Sequence, residues 1–160
     1  MTSQEDNIKD KNFHIKIYTN LLEISKAIRT IAQNISADFQ FSILGKFSFK
    51  NSHQENELNV VAKRIKIQLS SSLGRPIQLG YFNNPKIGTL FIAGHLTETF
   101  LHKVDGKKLA SLPVGLYGIF RGIGIELNDI DRYLKELQNG KFLLLIRGEA
   151  EALTTIGSVL

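Results

Sequence analysis

The side chains that could do chemistry are few. The chain has no cysteine, and its four histidines, His14, His53, His95 and His102, stand at no paired ligand spacing such as HxxxH. A zinc site therefore has no ligand set to draw on, and neither a metal nor a cofactor is expected. His95 and Glu98 lie three apart and share a face if the segment is helical, a spacing whose simplest use is surface pairing. "LSSSLG" at 69–74 reads as the end of a helix rather than an anion nest, and no serine sits in a GxSxG elbow. Asp129 and Asp131 fall on different faces of a helix, where they serve as first-turn charges opposing its dipole. No catalytic residue is assigned. If the chain has a small-molecule pocket, the candidates are His95, His102 and Lys103, in the less regular segment 87–108.

"PVGLYGIFRGIG", Pro113 to Gly124, carries glycines at 115, 118, 122 and 124. A dinucleotide loop needs GxGxxG immediately after a strand and opening a helix. Here the glycines close an apolar, helix-like stretch, and no GxxxxGK[ST] occurs anywhere. Gly115, Gly118 and Gly122 fall at i, i+3 and i+7, one helical face, which predicts close packing against another backbone, within the chain or at an interface.

Behind these residues lies a chain of 160 residues, 42% hydrophobic and 22% charged, enough for one domain with a sizeable core. Residues 1–12 are polar and mixed in charge, which predicts a disordered tail before a single domain at 13–160. The absence of cysteine and of a signal-like apolar stretch points to the cytoplasm. A net charge of +5 favours anionic partners, but the charge is dispersed. Its densest cluster, Lys63, Arg64 and Lys66, reads as a solvated helix face. Without interleaved aromatics, nucleic acid is disfavoured as a partner.

"FHIKIYT" alternates as a half-buried strand, and Asn20 with Glu23 forms a capping box before a helix built on Leu21, Ile24, Ala27, Ile28, Ile31 and Ile35. "DFQFSILGKF" alternates again. From Ser52, a plausible cap, Leu58, Val61, Ile65 and Leu69 form the stripe of a second helix, which "SSSLGRP" breaks. "IQLGYF" and "GTLFIAGHL" read as strands, the second also open to a helical reading. Asn128 or Asp129 caps a helix holding Ile130, Tyr133, Leu134 and Leu137, Gly140 ends it, and "KFLLLIRG" is a strand apolar on both faces. A short helix follows from Glu149. This order predicts an α+β fold, a ferredoxin-like sandwich with an irregular middle insertion over residues 74–124; a small doubly wound α/β sheet is the alternative.

The segments "FHIKIYTNLLEISKAIRTI", "ADFQFSILGKF" and "GIGIELNDIDRYLKELQNGKFLLLIRGEAEAL" resemble a bacterial general-stress-type family of glycine-rich membrane proteins of unassigned function. The resemblance implies a strand-helix-strand unit, a glycine-zipper membrane segment and a closing helix and strand. Gly124 and Ile125 match the family's turn, with Glu126 where proline is usual. Tyr133, Leu137 and Lys141 to Gly148 match the closing helix and strand, with Arg147 where histidine is frequent. "PKIGTLFIAGHL" and "LPVGLYGIF" look like the two ends of the membrane segment. A spanning helix, however, needs about 20 mostly apolar residues. Leu109 to Phe120 is the longest uncharged stretch in this region, and His95, Glu98, His102, Lys103, Asp105, Lys107 and Lys108 interrupt what precedes it. The chain thus reads as a soluble relative that lacks the transmembrane segment. The leading functional expectation is a non-catalytic interaction or regulatory module, stress-related by that resemblance, which self-associates as a homo-oligomer or docks a protein partner. The alternative is a small-molecule binder or enzyme.

Overall fold

The computed structural model describes residues 11–36, 38–47 and 55–160. The chain opens with β1 (Lys11–Tyr18), α1 (Leu21–Asn34) and β2 (Phe39–Lys46), the expected strand, helix, strand. Lys11 and Asn12, placed by sequence in the tail, already pair with Glu149 and Gly148; residues 1–10 lie outside the described residues. Asn20 Oδ1 accepts the Glu23 N–H at 2.9 Å, as a helix cap does. The Glu23 carboxylate does not close the box. It accepts from the Thr19 hydroxyl at 3.4 Å.

Then come α2 (Glu55–Leu73), β3 (Leu79–Asn84) and β4 (Gly88–Gly94). The cap expected at Ser52 lies outside the described residues. The ambiguous run "GTLFIAG" is a strand. β4 leaves the sheet at Gly94, whose φ is +97° and at which a Cβ would stand 3.1 Å from Ser42 Cα, so only glycine fits. The Ser42 hydroxyl accepts the Leu96 N–H at 2.8 Å and steers the chain into α3 (Thr97–Leu101). A small hairpin of β5 (Lys103–Val104) and β6 (Lys107–Lys108), a 3-10 turn (Leu109–Ser111) and α4 (Gly115–Gly122) complete the middle. α5 (Leu127–Gln138), β7 (Phe142–Glu149) and α6 (Ala150–Val159) end the chain.

The sequence misplaces the start of α5. Neither Asn128 nor Asp129 caps it; the Glu126 carbonyl accepts the Asp129 and Ile130 N–H groups, both at 3.0 Å, and no side chain caps the end. Its other end behaves as predicted. Gly140 has φ +86°, and Lys141 N–H returns to the Glu136 carbonyl at 3.0 Å, a glycine-terminated helix.

Five strands form one sheet in the order β1-β7-β2-β4-β3, each antiparallel to its neighbours. β1 and β2 therefore run parallel with β7 between them, and β2 and β3 run parallel with β4 between them. These are two split β-α-β units sharing β2, the unit from which ferredoxin-like sandwiches are made. The fold is α+β. Its antiparallel pairing removes the doubly wound alternative, whose sheet is mostly parallel.

Side chains alternate across every long strand. On one face, Phe41, Ile43, Phe91, Ala93, Leu144 and Ile146 meet α1, α2 and α6. On the other, Leu44, Phe82, Leu90, Ile92, Leu143 and Leu145 meet α3, α4 and α5. The interior strands β2, β4 and β7 are thus apolar on both faces, which is why "KFLLLIRG" reads as an unbroken apolar run. Each leucine, isoleucine and phenylalanine among them contributes about 1.5–3 kcal/mol on burial. The middle segment, expected to be irregular, supplies two strands of the sheet and part of a second helical layer. No helix among the described residues is long and apolar enough to cross a membrane.

Candidate functional site

The three residues proposed from sequence as a pocket do not come together. His95 follows β4, donates its N–H to the Phe41 carbonyl at 2.9 Å and lines a shallow hollow of about 310 Å³ with Arg75 and Gln78. Partial desolvation, then the charge of Arg147, lowers its pKa. His102 and Lys103 are exposed beyond α3 and line no part of that hollow. The separation has a physical cause: Phe100, fully buried, pins α3 to the sheet between them. His53 lies outside the described residues. Among the described residues no three His, Asp or Glu side chains gather as metal ligands would.

His14 faces α6 from β1 and is also held below its ordinary pKa of 6.5, by burial and then by the charge of Lys16. The folded state therefore takes up this proton less readily than the unfolded chain, so the group imposes no penalty above pH 6.5 and costs stability as the pH falls through it. Thermal midpoints measured between pH 7 and 5 should fall for the native chain and fall less for His14→Gln. Equal slopes would assign the acid sensitivity to other groups.

The glycine face divides. A Cβ on Gly115 would lie 2.9 Å from the Leu109 carbonyl carbon and 3.3 Å from Ala110 Cα, the close approach that the spacing predicted. Gly118 and Gly122 are exposed and meet nothing within 4 Å. The expectation of packing inside the chain fails at these two positions, because α4 buries Leu116, Ile119 and Phe120 and turns the two glycines outward.

Between α4 and α5, the Tyr117 hydroxyl donates to the Asp131 carboxylate. Lys86 Nζ stands 5.8 Å from the Tyr117 ring centre, and a hollow of about 380 Å³ opens beside them. Asp131 thus does more than offset a helix dipole; its partner comes from another helix, which no spacing in the sequence announces.

Among the described residues a large concavity runs along β3, an outer strand of the sheet. It encloses about 730 Å³ between α2 on one face and Leu101 and Lys108 on the other, within the usual size of ligand sites, about 300–1,000 Å³. Helical spacing along α2 turns Asn59, Ala62, Lys63, Lys66, Ile67 and Ser70 toward it, and β3 adds Leu79, Gly80 and Tyr81. Ile67 is 59% exposed, a large apolar side chain left open to water. The walls are tied together. The Tyr81 hydroxyl donates to Asn59 Oδ1 at 2.8 Å, Lys108 Nζ donates to the Tyr81 carbonyl at 2.6 Å, and that ammonium also sits 4.9 Å from the Tyr81 ring centre. Gly80 leaves room for Leu101 to lie against the strand, since a Cβ there would collide with the Leu101 side chain. The lining holds three lysines and no carboxylate. Lys63 and Lys66 have no ion-pair partner among the described residues.

Sequence reasoning saw Lys63 and Lys66 only as a solvated helix face. It missed Tyr81, Leu101 and Lys108, which reach the groove through sheet pairing, the end of α3 and the β5–β6 hairpin. The exposed apolar Ile67 beside the lysines was the signal within α2. Compared with known proteins, the chain matches no family model, no curated protein and no solved structure.

Proposed function

We propose that the chain is a non-catalytic binding and regulatory module whose ligand lies in the groove between α2 and β3. One observation carries this reading: the lining joins apolar side chains, Ala62, Ile67, Leu79 and Leu101, to Lys63, Lys66 and Lys108. Such a mixture supplies binding energy through apolar burial and orientation through a few charges. It offers no carboxylate or imidazole to serve as a base. The likeness of the chain's ends to the glycine-rich stress family supports a stress-related setting, with this chain as a soluble, cytoplasmic relative. Titration of the isotopically labelled protein with dodecanol, a neutral apolar probe, tests the groove. Amide shifts confined to α2, β3, Leu101 and Lys108 are expected; shifts elsewhere, or none, would remove the reading.

Self-association has its own supporting observation. β1 is eight residues long without proline or glycine, and among the described residues it has one partner strand, β7. Such an edge is open to strand addition, and two copies of β1 paired about a two-fold axis would continue the sheet. Sedimentation from micromolar to submillimolar protein should show a monomer-dimer equilibrium. A monomer throughout would exclude it.

A further inference from the structure

We infer that the groove along β3 takes a single-chain anionic amphiphile, its alkyl chain on the apolar floor and its anionic head at Lys63 and Lys66. The inference rests on the groove being a binding site and adds what the ligand must be. Charge complementarity decides it. The lining contains only cationic ionisable side chains apart from the Tyr81 phenol, and from Leu58 to Leu73 helix α2 carries three basic residues and no acidic one. A neutral ligand would leave Lys63 and Lys66 without a counter-charge, and a cationic one would be repelled. The apolar side chains are contiguous with these lysines on the same helix. Ala62 and Lys63, and Lys66 and Ile67, are sequence neighbours that both face the groove, so a tail and a head can be held at once.

Two other occupants fit less well. An added β-strand would need the outward carbonyl of Tyr81, which Lys108 already holds at 2.6 Å. Single-stranded nucleic acid would need open aromatic faces for stacking, whereas the one aromatic ring of the lining, Tyr81, is half-buried with Lys108 against it.

Calorimetric titration of the full chain at low salt tests this with dodecanoate, dodecyl phosphate, dodecanol and dodecyltrimethylammonium, each below its micelle concentration. One equivalent of dodecanoate or dodecyl phosphate should bind, roughly tenfold more tightly than dodecanol, with the ammonium weakest; which anion binds better assigns the head as carboxylate or phosphate. The advantage of the anion should shrink as salt rises. Decanoate should bind about fifteenfold more weakly than dodecanoate, as expected from about 0.8 kcal/mol for each buried methylene. The double variant Lys63→Gln, Lys66→Gln should keep the native thermal midpoint and bind dodecanoate no better than dodecanol. Equal affinity for anion and alcohol, unchanged in that variant, would overturn the anionic assignment and leave the groove reading standing. Failure of every probe to bind would remove both. Binding to anionic lipid vesicles, with no one-to-one complex in solution, would show a membrane-surface patch in place of an amphiphile site.

Discussion

Replacing Gly115 by alanine is expected to lower the thermal midpoint by roughly 5–10 °C, whereas the same change at Gly118 should leave it unchanged or raise it. The two positions sit three residues apart on one short helix. At Gly115 the added carbon falls against the carbonyl of Leu109 and 3.3 Å from Ala110 Cα. Both partners are backbone, so neither can swing aside as a side chain would; the turn at Leu109–Ser111 must move, carrying the fully buried Ala110 with it. Overpacking of this kind costs about 1–3 kcal/mol, and in a chain of this length each 1 kcal/mol shifts the midpoint by roughly 2–4 °C. At Gly118 nothing lies within 4 Å, and exchanging glycine for alanine inside a helix gains about 0.5–1 kcal/mol. Opposite signs at the two sites are the distinctive outcome, read by thermal denaturation of the two variants. Equal loss at both would mean that α4 is covered on its outer face, as it would be if Gly118 lay in an interface between copies.

Phe100→Ala should cost about 3–5 kcal/mol, the usual consequence of emptying a buried aromatic site. Phe100 is fully buried, with ring centres 5.9 Å from Phe82 on the sheet and 6.4 Å from Phe120 on α4. It is the fully buried side chain of the five-residue helix α3, too short to be stable by itself. Removing it should therefore loosen α3 and the β5–β6 hairpin ahead of the rest of the molecule. Urea denaturation would report the loss of stability, and hydrogen exchange should show residues 97–111 opening at a lower free energy than β2 and β7. The same variant should weaken binding in the groove, since Leu101 and Lys108 form its wall. Uniform destabilisation with 97–111 still protected would show that the segment is held by other contacts.

Local pattern accounts for much of this molecule. The two-residue alternation of β1 and β2, the Asn20 cap, the α1 stripe, the glycine end of α5 and the doubly apolar β7 are each set by a few neighbouring residues, so reading along the chain finds them. It also identifies Gly115 as a packing position and rules out a membrane-spanning helix by length and charge alone. The same reading expects close packing at Gly118 and Gly122, where the chain itself supplies none, because helical spacing says which residues share a face without saying where that face points; the buried Leu116, Ile119 and Phe120 decide it. His95, His102 and Lys103 are close in sequence, but α3 folds between them. The groove is the converse. Lys63 and Ile67 on α2, Tyr81 on β3 and Lys108 on the β5–β6 hairpin are spread over more than forty positions and meet because β4 places β3 at the sheet edge while helices cover both faces. Sequence by itself determined the longer elements outside the middle segment and their apolar faces, since these depend on contacts within one or two turns or strand repeats. The strand order, the direction each helix faces and the groove were decided only by tertiary structure, because they follow from pairings between segments far apart in the chain.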